Sequence, residues 1–85
     1  MDHLHSEVDV GSGEAVIVEL DHAAIVKVMD SANYQRYRRR EPHRYYGGEA
    51  RQSPVAIRPP HNGRWHVTVD LGGGAGRISA SIRVQ

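Results

Sequence analysis

Two runs toward the C-terminus alternate apolar and polar residues without a break, and they constrain the chain more than any other feature. In Arg64 to Leu71, Trp65, Val67, Val69 and Leu71 fall on one side, and Arg64, His66, Thr68 and Asp70 on the other. In Arg77 to Val84, Ile78, Ala80, Ile82 and Val84 oppose Arg77, Ser79, Ser81 and Arg83. A period of two is the mark of a half-buried strand. The glycine-rich joint from Gly72 to Gly76 predicts that the two strands form a hairpin. One face of each must then be core and the other wet, as in the wall of an antiparallel sandwich or barrel.

The rest of the chain keeps the same rhythm. His3 to Val10 alternates, with Leu4, Val8 and Val10 on one side and His3, His5, Glu7 and Asp9 on the other, and Gly11-Ser12-Gly13 is a turn. Glu14 to Leu20 points Val16, Val18 and Leu20 inward, and Ile17 is the exception to its pattern. After a turn at Asp21-His22, Ala23 to Met29 carries Ala24, Val26 and Val28. Asp30-Ser31 offers a helix N-cap, with Tyr34 and Tyr37 one turn apart behind it and Pro42 closing the segment. Arg44 to Arg51 reads as an edge strand, and Pro54 to Arg58 as a short strand with Val55 and Ile57 inward. Pro59 to Gly63 is a loop ending on Asn-Gly, a strong turn signal. The expectation is a single domain over residues 1–85: a compact antiparallel β-sandwich or jelly-roll-like barrel of six to eight short strands, with one short helical or irregular insertion.

Composition narrows the functional classes. There is no cysteine, so neither a disulfide framework nor a thiolate zinc site is available. There is no phenylalanine and one tryptophan, which leaves the core to Val, Ile, Leu and Ala. The N-terminus has no basic stretch followed by an apolar one, and no run approaches a membrane span, so a cytoplasmic chain without membrane contact is expected. The formal net charge of +1 hides a polarity. Met1 to Asn33 carries −6 and Tyr34 onward +7. Either the two halves neutralise one another, within the fold or between copies in a homo-oligomer, or the basic half meets an anionic partner.

Four features invite chemistry. His3-x-His5 with Glu7 has a metal-chelating spacing, and His66 can complete a cupin-like set if its strand lies alongside. These histidines fall on the face assigned to solvent, however, so no metal and no cofactor is assigned. The glycine run lacks the following helix that a phosphate loop needs. Glu19 and Asp21 lack the patterned oxygen ligands of a calcium loop, and no Ser-His-Asp or Cys-His set can be read out. The chain is therefore expected not to be an enzyme, a metal-dependent cupin-like enzyme being the least favoured alternative.

The stretch from Tyr34 to Arg51 has the texture of a binding surface. It holds six arginines and all four tyrosines against Glu41 and Glu49. Arginine forks take phosphate or carboxylate, and aromatic faces stack on bases or sugars. The candidate binding residues are Arg36, Tyr37, Arg39, Arg40, His43, Arg44, Tyr45 and Tyr46, facing a protein partner, an anionic ligand or nucleic acid. In the alternative reading, Tyr34, Tyr37 and Tyr45 fill the core and the arginines pair with the acidic half.

Leu20 to Ala24, Met29 to Tyr34, Tyr45 to Gly48 and Gly63 to Gly73 together carry a resemblance over nearly the whole chain. The chain resembles a bacterial family of small β domains of unknown function, found alone or joined to TIR-type signalling domains. The resemblance implies an all-β domain with a recognition role beside a signalling partner. It assigns no catalytic or binding residue.

Overall fold

The strands sort into two antiparallel sheets whose inner faces are the apolar sides of the alternating runs. The computed structural model describes residues 3–72 and 77–85. Along the chain come β1 (Leu4–Val10), β2 (Val16–Leu20), β3 (Ala24–Met29), α1 (Ser31–Arg38), β4 (Tyr46–Ala50), β5 (Val55–Ile57), β6 (Gly63–Asp70) and β7 (Ala80–Val84). One sheet has the order β1-β6-β3-β4, the other β5-β2-β7. In the four-stranded sheet Val8 faces Trp65, Ser6 faces Val67, and Val26 faces Val69. In the three-stranded sheet Val16 faces Val84 and Ile57, and Val18 faces Ile82 and Val55. Val16, Val18, Val26, Val28, Val67 and Val69 are fully buried between the layers. Each such side chain contributes roughly 1.5–3 kcal/mol through its removal from water.

The β-sandwich expected from the alternation is present, and β4 is an edge strand. Three expectations need correction. β6 and β7 are not a hairpin: β6 pairs with β1 and β3, and β7 with β2 in the opposite sheet. The connection crosses between layers, and Gly73 to Gly76 of its glycine run lie outside the described residues. The chain leaves β6 where the Asp70 carboxylate accepts from the Gly72 N–H at 2.7 Å, and Gly72 adopts φ +66°. Leu71 is therefore past the ladder and half-buried instead of central. On the far side, Arg77 to Ser79 precede the strand, and the Ser79 N–H is held by the Asp21 carboxylate at 3.0 Å. Ile78, Ala80, Ile82 and Val84 line the core while staying partly exposed, because β7 is an edge strand.

The third correction concerns the outer face of β6. His66, Thr68 and Asp70, expected in solvent, are 5%, 0% and 3% exposed. Helix α1 lies across this face, contacting β6. No helix of the described residues is long and apolar enough to cross a membrane.

Candidate functional site

Helix α1 is short, so its place depends on its ends and on what it rests upon; eight residues form no stable helix alone. At its start the Asp30 carboxylate accepts from the Asn33 N–H at 2.9 Å, which holds that carboxyl below the usual aspartate range. At its end the Arg40 N–H donates to the Tyr37 carbonyl, and the Glu41 N–H to the Arg36 carbonyl. These two bonds make a Schellman closure, in which the residue at the left-handed position is usually glycine. Here it is Arg40, at φ +60°. A side chain in that conformation costs about 1 kcal/mol or more.

Under the helix sits a layer of histidine and tyrosine. The ladder sets Glu7 opposite His66 and His5 opposite Thr68, so all four share the outer face. The His5 and His66 rings are nearly parallel, 6° apart, and meet at their edges with His5 Nε2 2.8 Å from His66 Nδ1. Tyr34, 7% exposed, roofs both: its ring stacks 4.1 Å from His5 and 4.7 Å from His66. His66 Nε2 lies 2.9 Å from Ser31 Oγ, and Tyr34 Oη 3.2 Å from His3 Nε2. Glu7 Oε1 approaches His66 Nδ1 at 3.8 Å. The donor atoms of His5, Glu7 and His66 all lie within 4.8 Å of one another. Desolvation in the stack, reinforced by the neighbouring His66, pushes the His5 imidazole below the ordinary histidine range. His66 is thus covered, whereas His5 and Glu7 on the N-terminal strand stay exposed as expected, with the His5 ring nonetheless held against Tyr34 and His66.

The second tyrosine anchors the other end of the layer. The Tyr37 hydroxyl donates to Asp70 Oδ2 at 2.5 Å. Burial, and then that carboxylate, push the Tyr37 hydroxyl above the usual phenol range. Beside it the Lys27 ammonium donates to His43 Nε2 at 3.0 Å and lies 4.3 Å from the Tyr45 ring centroid and 5.1 Å from that of Tyr37. A lysine has no lone pair to accept with, so His43 Nε2 is the acceptor and its Nδ1–H donates to the Glu41 carbonyl at 2.9 Å. The Thr68 hydroxyl, between His66 and Asp70 on the strand, lies near the Tyr37 hydroxyl but meets no partner in good hydrogen-bond geometry among the described residues.

The structure divides the eight candidate binding residues. Tyr37 and His43 turn toward the sheet and are half-buried, serving the packing of α1 and of the loop behind it. Arg36, Arg44 and Tyr46 border one open cleft with Asn33, His61 and Trp65. The Asn33 carboxamide oxygen holds the loop to the helix by accepting from the Arg44 N–H at 2.7 Å. Arg40 borders a second hollow with His3, Tyr37 and Arg38, and Arg39 is exposed and lines neither. Tyr45 and Tyr46 are 42% and 45% exposed, so neither fills the core. Sequence reasoning missed Lys27, raised the histidines of the two strands only to set them aside, and left Tyr34 out of the candidate residues. The one-turn spacing of Tyr34 and Tyr37 was the available signal, since it gives the helix a single aromatic face to dock.

The ion pairs join the two charge halves at a few places within the fold. Arg64 meets Glu7 at 3.7 Å and Asp9 at 3.3 Å, and Arg83 meets Glu19 at 3.0 Å. Arg51 pairs with its neighbour Glu49. Among the described residues, none of Arg36, Arg38, Arg39, Arg40 and Arg44 makes an ion pair. Glu7, Asp9 and Glu19 of the first half are matched by arginines outside the helix, and the cluster on α1 and its following loop is exposed.

These features define a class: an antiparallel β-sandwich with one short, basic and aromatic helix laid over the outer face of its larger sheet. The chain belongs, over residues 1–85, to the family described as Domain of unknown function (DUF1883). No curated protein and no solved structure gives a significant match.

Proposed function

We propose that this domain is a non-catalytic recognition module that binds an anionic partner through α1 and the loop after it. The observation that carries this is the set of five arginines, Arg36, Arg38, Arg39, Arg40 and Arg44, without ion pairs among the described residues. Arg40 strengthens it. A left-handed position that glycine fills without strain is occupied by a guanidinium, so stability is given up where a cation is placed. The surface supplies charge and, through exposed Tyr45 and Tyr46, aromatic faces; it supplies no nucleophile. The family resemblance adds a setting: a bacterial domain with a recognition role upstream of a TIR-type signalling partner, and the N-terminal sequence adds a cytoplasmic location.

Titration against single-stranded DNA, RNA, a phosphorylated small ligand and an acidic peptide, each at about 50 mM and 200 mM salt, tests the reading. Phosphate contacts predict a steep loss, on the order of 10³-fold or more for six contacts over that range. An acidic protein surface predicts a milder loss at fixed stoichiometry. The exposed tyrosines favour nucleic acid, through stacking. Replacing Arg39, Arg40 and Arg44 together with alanine abolishes binding and leaves the fold intact. Unfolding of that variant would instead make the arginines structural and remove the proposal's support. Arg40→Gly separates the two roles: stability rises by about 1 kcal/mol while affinity falls.

A further inference from the structure

We propose that His5, Glu7 and His66 form a binding site for a divalent transition cation of the zinc type. Three potential ligands come from two neighbouring antiparallel strands, fixed by the ladder and not by a mobile loop: Glu7 lies directly across from His66, and His5 two residues before Glu7 on the same face. Their donor atoms already converge within 4.8 Å. Tetrahedral coordination at about 2.0–2.1 Å places neighbouring donors roughly 3.3 Å apart. The His5 Nε2 to His66 Nδ1 separation of 2.8 Å therefore needs to open by only about half an ångström, with the cation replacing the shared proton.

The surroundings of His66 suit a metal ligand. Its other nitrogen, Nε2, faces Ser31 Oγ at 2.9 Å. A ligating histidine generally donates its second N–H to such a partner, which fixes the tautomer and leaves the first nitrogen's lone pair for the metal. Tyr34 stacks over both imidazoles and limits their rotation. Glu7 Oε2 lies 3.7 Å from Arg64 Nη1 and Oε1 3.8 Å from His66 Nδ1, so one carboxylate oxygen already faces the imidazole. Two imidazole nitrogens and one carboxylate oxygen select zinc, nickel or copper over magnesium and calcium, which prefer oxygen ligands alone. The fourth position falls to water. The site lies on the histidine layer beneath Tyr34; Arg38, over the Tyr34 ring, is the arginine near both surfaces, and the variants below leave every arginine in place, so the site's failure and that of the recognition reading are separate.

The test is calorimetric titration of tag-free, chelator-stripped protein with Zn²⁺, Mg²⁺ and Ca²⁺, with Co²⁺ absorption as a report on coordination. Saturable binding of one Zn²⁺ per chain is expected, with a raised unfolding temperature, intense visible bands from Co²⁺ and no response to Mg²⁺ or Ca²⁺. His5→Gln and Glu7→Gln, both at exposed positions, weaken Zn²⁺ binding at least tenfold while the circular dichroism spectrum stays unchanged. His22→Gln and His61→Gln, at histidines elsewhere on the surface, leave it intact. Absence of saturable Zn²⁺ binding would overturn the proposal. So would binding that survives both His5→Gln and Glu7→Gln, or binding lost equally in the His22 and His61 variants.

Discussion

Replacing Tyr37 with phenylalanine isolates the bond that holds the helix to the sheet. The ring and its packing remain; only the hydroxyl that donates to Asp70 at 2.5 Å is removed. Asp70 is 3% exposed, and among the described residues its other side-chain bond is the one from the Gly72 N–H. A hydrogen bond to a charged group contributes about 1.5–3 kcal/mol, and a buried carboxylate short of one donor sits toward the middle or top of that range. We expect a loss of about 2 kcal/mol. For a domain of this size that lowers the thermal midpoint by roughly 10 °C. It lowers the urea midpoint by about 2 M if the denaturant slope is near 1 kcal/mol per M. Tyr45→Phe, at an exposed ring, is the control and changes neither. A second arm uses pH. Because the folded state raises the Tyr37 hydroxyl above its unfolded value of about 10, the stability it contributes is complete below that pH and is lost as pH rises beyond it. Tyr37→Phe removes this part of the alkaline loss. A variant within about 0.5 kcal/mol of the parent, the ordinary range for a neutral surface change, would refute the argument that this bond docks α1.

Three further outcomes are expected. Thr68→Val, which replaces a fully buried hydroxyl without a well-placed partner with a side chain of the same shape, raises stability by about 1 kcal/mol in urea unfolding; a loss would mean that its contact with the Tyr37 hydroxyl is a working hydrogen bond. The His5 imidazole is depressed in the fold, so the stability it contributes is present above its unfolded value of about 6.5 and is lost as pH falls below it; denaturation midpoints at neutral and mildly acidic pH converge less in His5→Gln than in the parent if this is wrong. Gly47→Ala destabilises more than Gly48→Ala, although both glycines have positive φ, because a Cβ at Gly47 would run into the Val26 carbonyl oxygen while one at Gly48 meets open space. Equal thermal midpoints for the two variants would contradict that difference.

Strand existence and inward faces were legible because branched side chains at alternate positions leave one solution for Val16, Val18, Val26, Val28, Val67 and Val69. The Asp30 cap was legible because its chemistry is local. What covers an outer face is not local. His66, Thr68 and Asp70 are polar, and polar residues on a strand read as solvated until another element is known to lie over them. The covering element had only Tyr34 and Tyr37 to announce itself. The joint between β6 and β7 was misread for a related reason: glycines permit a change of direction, but they do not say whether the chain returns beside its own strand or crosses to the opposite sheet. The candidate arginines were found by composition, whereas their freedom from ion pairs depended on where Arg64 and Arg83 lie in the two sheets.

The crossing of the chain between layers has a kinetic consequence. Every connection except that from β3 to β4 passes from one sheet to the other, so no ladder is closed by a tight turn. Leu4 pairs with Val69, and Val16 with Val84. During synthesis β1 has no ladder partner until β6 has been made, and β2 must wait for β5 and β7. The entropy of closing these long loops is spent before any pairing returns it, which puts folding on the order of milliseconds to seconds instead of microseconds. Over that interval the first three strands present open, apolar edges, and a nascent chain of this design is most exposed to aggregation before β6 emerges.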